Sequence, residues 1–188
     1  MKFDPKAEPA PGMLLVAAAN LHDPNFVRTV ILLCEHQNEG TFGLVLNSAL
    51  PVQMSDVVED LNGWDAPLYK GGPVQENTLH FLHCNANIGI DSNEILPGVF
   101  WGGDFARLND LLGSRKANPD DFRFYVGYSG WGEGQLATEI ERESWYLTTA
   151  TRELVFCRDE RNQWRMTLAS MGSGYKMLSN FPDDPSLN

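Results

Sequence analysis

Residues 28–47 read RTVILLCEHQNEGTFGLVLN, from Arg28 to Asn47. The stretch opens with a β-branched, apolar run to Glu35. It passes through Gln37-Asn38-Glu39-Gly40, which is turn chemistry, and resumes with the apolar run Thr41 to Asn47. Two such runs joined by a short glycine-containing turn predict a β-hairpin with a buried first strand. Met13 to Ala18 (MLLVAA) predicts a further buried strand ahead of it, across a loop centred on Asp23-Pro24.

Beyond the hairpin, strands and helices interleave irregularly. Met54 to Leu61 predicts a helix stopped by Asn62-Gly63. Leu68 to Lys70 runs into Gly71-Gly72-Pro73, Leu79 to Cys84 predicts a strand, and Ile95 to Trp101 is extended but broken at Pro97-Gly98. Asp104 is a natural N-cap for a helix with Phe105, Leu108, Leu111 and Leu112 on one face. Phe122 to Tyr128 alternates as a strand. It leads to a predicted tight turn at Ser129-Gly130-Trp131, a short helix over 135–140 and a strand at Trp145 to Leu147. Glu160 to Met171 predicts an amphipathic helix. Residues 1–11 read as a loose arm and 173–188 as a frayed tail. The pattern lacks clean βαβ units, so the expected fold is a single α/β domain of the α+β kind: a mixed sheet with helices packed against it.

The chain has 188 residues, 43% of them apolar and 21% charged, with 14 Lys+Arg against 25 Asp+Glu and a net charge of −11. That length buries about 70% of the unfolded chain's surface without a metal or disulfide staple. The acidic balance opposes binding to nucleic-acid phosphate or anionic lipid, and no basic stripe offsets it. Arg158, Arg161 and Arg165 are interrupted by Asp159 and Glu160 and read as a solvated helix face. Cys34, Cys84 and Cys157 are odd in number and form no CxxC, which fits a reducing, cytoplasmic setting. Cys34 and Cys84 end apolar runs and read as small buried hydrophobes. No run approaches the roughly 20 apolar residues of a membrane span. Asp4 and Glu8 also spoil the positive flank that a signal peptide needs.

Four motifs in order carry a family resemblance. The first is Gly12-Met13-Leu14-Leu15 with Asp23-Pro24-Asn25-Phe26, Arg28-Thr29-Val30, Glu35-His36, Gly40 and Gly43-Leu44-Val45-Leu46-Asn47. The others are Gly71-Gly72-Pro73-Val74, Gly102-Gly103-Asp104, and Gly127-Tyr128-Ser129-Gly130-Trp131 followed by Gly134-Gln135-Leu136. Together they resemble the bacterial YqgE/AlgH family over about residues 12–170. The resemblance implies a sheet curled into a partial barrel and says little of mechanism. The family's AlgH branch is associated by name with transcriptional control of alginate synthesis. Two departures stand out. Ala19 and Asn20 replace a usual proline and glycine, and Ala137 stands where the family tends to have a glutamate.

Candidate chemistry is sparse. Glu35-His36 at a strand end offers a His–carboxylate pair for acid–base work, but strand neighbours point to opposite faces. Asp23 and Arg28 bracket a loop, either as an ion pair or with Arg28 holding an anionic ligand. His80 and His83, three apart on a strand, diverge rather than ligate one metal. Ser129 sits in an incomplete nucleophile elbow, because G-x-S-x-G has Trp131 in its last place. No metal or cofactor motif is complete, and no cofactor is expected. The sequence therefore predicts a non-catalytic binding or regulatory protein with an unidentified protein or small-molecule partner. Its expected pocket is built from Asp23, Arg28, Glu35, His36, Ser129 and Trp131. The rival is a small-molecule hydrolase using His36 with Glu35 or Ser129.

Overall fold

A computed structural model describes residues 8–57, 66–85, 91–113 and 118–181. The deciding stretch folds as expected. Strand β1 (Met13–Ala17) runs antiparallel to β2 (Val30–Gln37), and β2 turns through Asn38-Glu39 into β3 (Gly40–Val45). Leu14, Leu15, Val16 and Val30 to Leu33 are all sealed from solvent. Both faces of these strands are therefore covered, as near-continuous apolar runs require.

The remaining strands are β4 (Ala49–Gln53), β5 (Pro67–Lys70), β6 (Val74–His83), β7 (Ser92–Leu96), β8 (Val99–Gly102), β9 (Phe122–Gly132) and β10 (Trp145–Thr149). They make one ten-stranded sheet in the order β10-β1-β2-β3-β9-β6-β8-β7, with β4 and β5 branching from β9. Among the described residues, only β5 and β9 pair in parallel; the rest are antiparallel. The sheet is mixed, as predicted, and forms a half-barrel flanked by helices. Its branch point is a crossing of bare backbones. A Cβ on Gly72 would lie 2.2 Å from the Tyr128 carbonyl, and one on Gly71 would lie 2.3 Å from the Gly127 oxygen. These glycines serve close approach of chains.

Among the described residues are six α-helices: α1 (Met54–Val57), α2 (Phe105–Gly113), α3 (Gln135–Glu141), α4 (Arg152–Val155), α5 (Glu160–Ser170) and α6 (Ser173–Leu178). Asp104 caps α2 as read from sequence, accepting from Ala106 N at 2.9 Å. The apolar face of α2 covers a small core of Phe81, Leu68, Phe122 and Phe124. Helix α5 covers the main core. Its Trp164 is buried and donates its indole N–H to Ala17 O at 2.8 Å.

Several elements correct the sequence reading. Residues 58–61 of the expected first helix lie outside the described residues. Strand β4 was not anticipated, and β6 begins five residues before Leu79, across an irregularity between Val74 and Leu79. The break at Pro97-Gly98 is the turn of the β7–β8 hairpin. Ser129 to Trp131 belong to β9 rather than a tight turn, because this segment pairs with Thr41 to Gly43 of β3. Part of the expected frayed tail is helix α6, docked by Tyr175 edge-on to Tyr146 at 5.1 Å. Cys34 is buried as expected, while Cys84 is only half-buried.

Candidate functional site

The pairing of β2 with β3 slips at Cys34: Leu33 faces Gly43, but Glu35 faces Phe42. This bulge re-aims the end of the strand. Glu35 joins the side of Phe42, and His36 joins the side of Thr41, sharing a hydrogen bond between Nδ1 and Thr41 Oγ1 at 2.7 Å. The two neighbours are thus divided between faces, as strand geometry dictates.

At this end of the sheet lies a cleft of about 490 Å³. Glu35, Gln37, Glu39 and Thr41 come from the β2–β3 hairpin; Tyr128 and Trp131 come from β9. Phe42 and Tyr128 stack with centroids 4.7 Å apart. Of the residues expected to form a pocket, Glu35 and Trp131 line this cleft, and His36 adjoins it through Thr41.

The others do not line it. Ser129 is wholly buried, and its hydroxyl donates to Gly71 O at 3.1 Å. That sealed hydroxyl pins the β5–β6 connection to β9 and has no access to substrate. The Asp23 carboxylate accepts from Asn25 N at 2.8 Å, and Arg28 turns the other way, stacking on Trp164 at 4.6 Å and donating to Phe181 O at 3.0 Å. The expected ion pair gives way to these contacts because Arg28 adopts φ +54°, a strained conformation for a residue with a Cβ. Asn47 holds it there, donating to Arg28 O and accepting from Val30 N, each at 2.9 Å. From the same loop only Phe26 reaches the site's wall, stacked on Trp131 at 6.4 Å.

Trp131 has a contact that sequence reasoning missed. The Glu139 carboxylate on α3 accepts from the indole N–H of Trp131 at 2.9 Å and of Trp145 at 2.8 Å. Gln135 donates to its other oxygen at 2.9 Å. Glu139 follows the Ala137 departure by two residues, and here an acid clamps β9 to β10. The available signal was a carboxylate downstream of Gly134-Gln135, but the chain gave no hint that two tryptophans would meet it.

A second cavity, about 330 Å³, surrounds Arg123, which is 6% exposed. Its guanidinium donates to Leu46 O at 3.1 Å and to Cys157 O, stacks on Tyr69 at 4.7 Å and lies 4.0 Å from Glu160. Tyr69 donates to Glu160 at 2.6 Å. Burial is the main cause raising the Tyr69 and Tyr125 phenols, the latter to about 12. Every charged group here is answered internally, as a buried charge must be.

His80 and His83 diverge as expected. His83 is buried, stacked on Phe100 at 5.4 Å, and sits 3.0 Å from Ser92 Oγ in what resembles a Ser–His pair. However, Asn85 N donates to its Nδ1 at 3.2 Å. Nε2 therefore carries the proton and donates to Gly102 O at 2.9 Å, so this imidazole cannot take a proton from Ser92. Burial lowers its pKa. Among the described residues, no group of three or more His, Cys, Asp or Glu could hold a metal ion, and no helix is long and apolar enough to cross a membrane.

A half-barrel of one mixed sheet, with its open cleft at the β2–β3 turn, defines the class of molecule. The sequence model of the AlgH-like family, DUF179, matches residues 14–176, and the chain belongs to that family. It is 43% identical over 179 residues to a UPF0301 protein of Chlorobium luteolum, covering 95% of each chain. It is 40% identical to a UPF0301 protein of Cytophaga hutchinsonii, covering 94% of this chain and 98% of the relative. The crystal structure of protein DIP2367 from Corynebacterium diphtheriae superposes with a TM-score of 0.79 at 27% identity, over 96% of this chain and 95% of that one. The solution structure of AlgH from Pseudomonas aeruginosa shares the fold, with a TM-score of 0.73 at 24% identity over 95% and 98% of the two chains.

Proposed function

We propose that this protein is a non-catalytic binding module of the cytoplasm, acting as a regulator through a partner held in the cleft at the β2–β3 turn. The observation that carries the reading is the cleft itself. About 490 Å³ of open volume is walled by Glu35, Gln37, Glu39 and Thr41 and floored by Phe42 and Tyr128, within the size range of ligand sites. The groups that would make a hydrolase are not assembled there. Ser129 is sealed beneath the sheet, and Glu35 and His36 face apart. The net charge of −11 and the two glutamates of the cleft argue against direct contact with nucleic acid.

The test is amide chemical-shift mapping on the full protein with a panel of capped tetrapeptides of varied charge. Shifts are expected at Glu35 to Phe42 and at Tyr128 to Trp131, and Tyr128→Ala should weaken every binder at least tenfold. Binders that perturb only the surroundings of Arg123, or that ignore Tyr128→Ala, would overturn the reading. So would sequence-specific duplex DNA binding at physiological salt.

A further inference from the structure

This inference rests on the cleft reading above and names the occupant. Glu35 and Glu39 are both exposed at the cleft. Among the described residues, neither carboxylate has a hydrogen bond or an ion pair. No Lys or Arg lines the cleft, so nothing within it neutralises the two carboxylates. The cleft is also not isolated. Phe42 stacks on Tyr128 and meets Trp101, each at 4.7 Å, and His80 packs against Phe42 at 5.2 Å. Trp101 and His80 in turn line a further cavity of about 430 Å³, completed by Leu79, Phe81 and Phe105 around Gly102-Gly103. The two cavities therefore meet at a cluster of four half-buried rings, Phe42 and Tyr128 in the first and His80 and Trp101 in the second, and differ in chemistry: carboxylates at one end, apolar side chains at the other. The two centroid separations at Phe42, 4.7 Å each, place Tyr128 and Trp101 no more than roughly 9 Å apart, which an extended chain covers in about three residues at most.

We propose that these two adjoining cavities take a short extended peptide segment, with a Lys or Arg between Glu35 and Glu39 and a bulky apolar side chain in the cavity that Trp101 and Phe105 line. A cation suits both halves of the first cleft, because carboxylates attract it and the faces of Tyr128 and Phe42 present negative π-density to it. A long Lys or Arg stem also covers apolar surface while its head stays at the rim. Phosphate or carboxylate ligands meet repulsion from both glutamates. A free polyamine satisfies the charges but leaves the apolar cavity empty. The protein's net charge of −11 draws a basic segment from a distance.

The experiment is isothermal titration of the full protein with the capped tetrapeptides Lys-Ala-Ala-Phe, Glu-Ala-Ala-Phe and Lys-Ala-Ala-Ala, and with spermidine. The Lys-Ala-Ala-Phe peptide is expected to bind at least fivefold more tightly than each of the others. Its affinity should fall with added salt, and the double charge reversal Glu35→Lys/Glu39→Lys should cost at least tenfold. These two exposed positions leave the core untouched, so the variant will fold. Equal binding of the Glu peptide, lost in Tyr128→Ala, would overturn the cationic occupant while leaving the cleft as the binding site. Spermidine binding as tightly as the peptide would overturn the peptide occupant. No heat from Lys-Ala-Ala-Phe at millimolar concentration would overturn the proposal outright, and binding unchanged by both Tyr128→Ala and the charge reversal would remove the cleft reading with it.

Discussion

The Arg123 cluster and the Glu35–Tyr128 cleft both gather charged and aromatic side chains around a cavity, yet they do opposite things with them. At Arg123 every partner is protein: two carbonyls, a tyrosine face and Glu160. At the cleft, Glu35 and Glu39 stand in solvent beside half-buried rings. The lesson is that a buried, satisfied charge is a fastening. A charge left without a partner beside apolar surface costs little in water and is available to something else.

The sharpest way to break this comparison is Arg123→Ala. It leaves Glu160 without its cation and two carbonyls without donors, and stability should fall by about 3–5 kcal/mol in urea unfolding. Binding at the cleft should persist in the fraction that folds. Glu139→Ala comes next. It orphans the indole N–H groups of Trp131 and Trp145, and the same measurement should show a loss of about 2–6 kcal/mol, from two donors at about 1–3 kcal/mol each.

A smaller effect on stability comes with pH, from the histidines outside both regions. Burial lowers the pKa of His83 and of His80. Below an unfolded-state pKa of about 6.5, the unfolded chain takes up protons that the folded chain resists. Stability is therefore fully present above that pH and falls as the pH drops toward the lowered folded values. Unfolding curves between pH 7 and pH 5 should show the decline, and His83→Gln should flatten it. The smallest effect on stability belongs to the cleft: Glu35→Ala should change unfolding by no more than about 0.5 kcal/mol, and a larger loss would make Glu35 part of the fastening.

The hairpin over 28–47 was legible because its apolar runs and turn residues agree at every level. The Asp104 cap and the apolar face of α2 were legible for the same reason. Strand β9 was legible only as far as Tyr128. Beyond it, Ser129-Gly130-Trp131 carries turn residues, and the β3 edge pairs them into a strand regardless. Helix α6 has a Gly-containing, weakly helical sequence and is held by docking, as Tyr175 on Tyr146 and the Arg165 contact to Ser179 O show. For the site, Glu35 was read from its place at a strand end, and Trp131 from a tight turn that the structure makes part of β9. Asp23 is taken up by a local turn bond from Asn25 N, while Arg28 and Ser129 were misplaced because their partners, Trp164, Phe181 and Gly71, are distant in sequence and local pattern does not encode them. The aromatic cluster was invisible for a related reason. Phe42, His80, Trp101 and Tyr128 come from four strands, and only the curl of the sheet brings them together.

The most direct test of the account is a crystal structure of the full protein soaked with the capped Lys-Ala-Ala-Phe peptide. The account predicts density from Tyr128 to Trp101, with the lysine ammonium within about 4 Å of Glu35 or Glu39, inside ion-pair range. Density at the Arg123 cavity with the cleft left empty would contradict it.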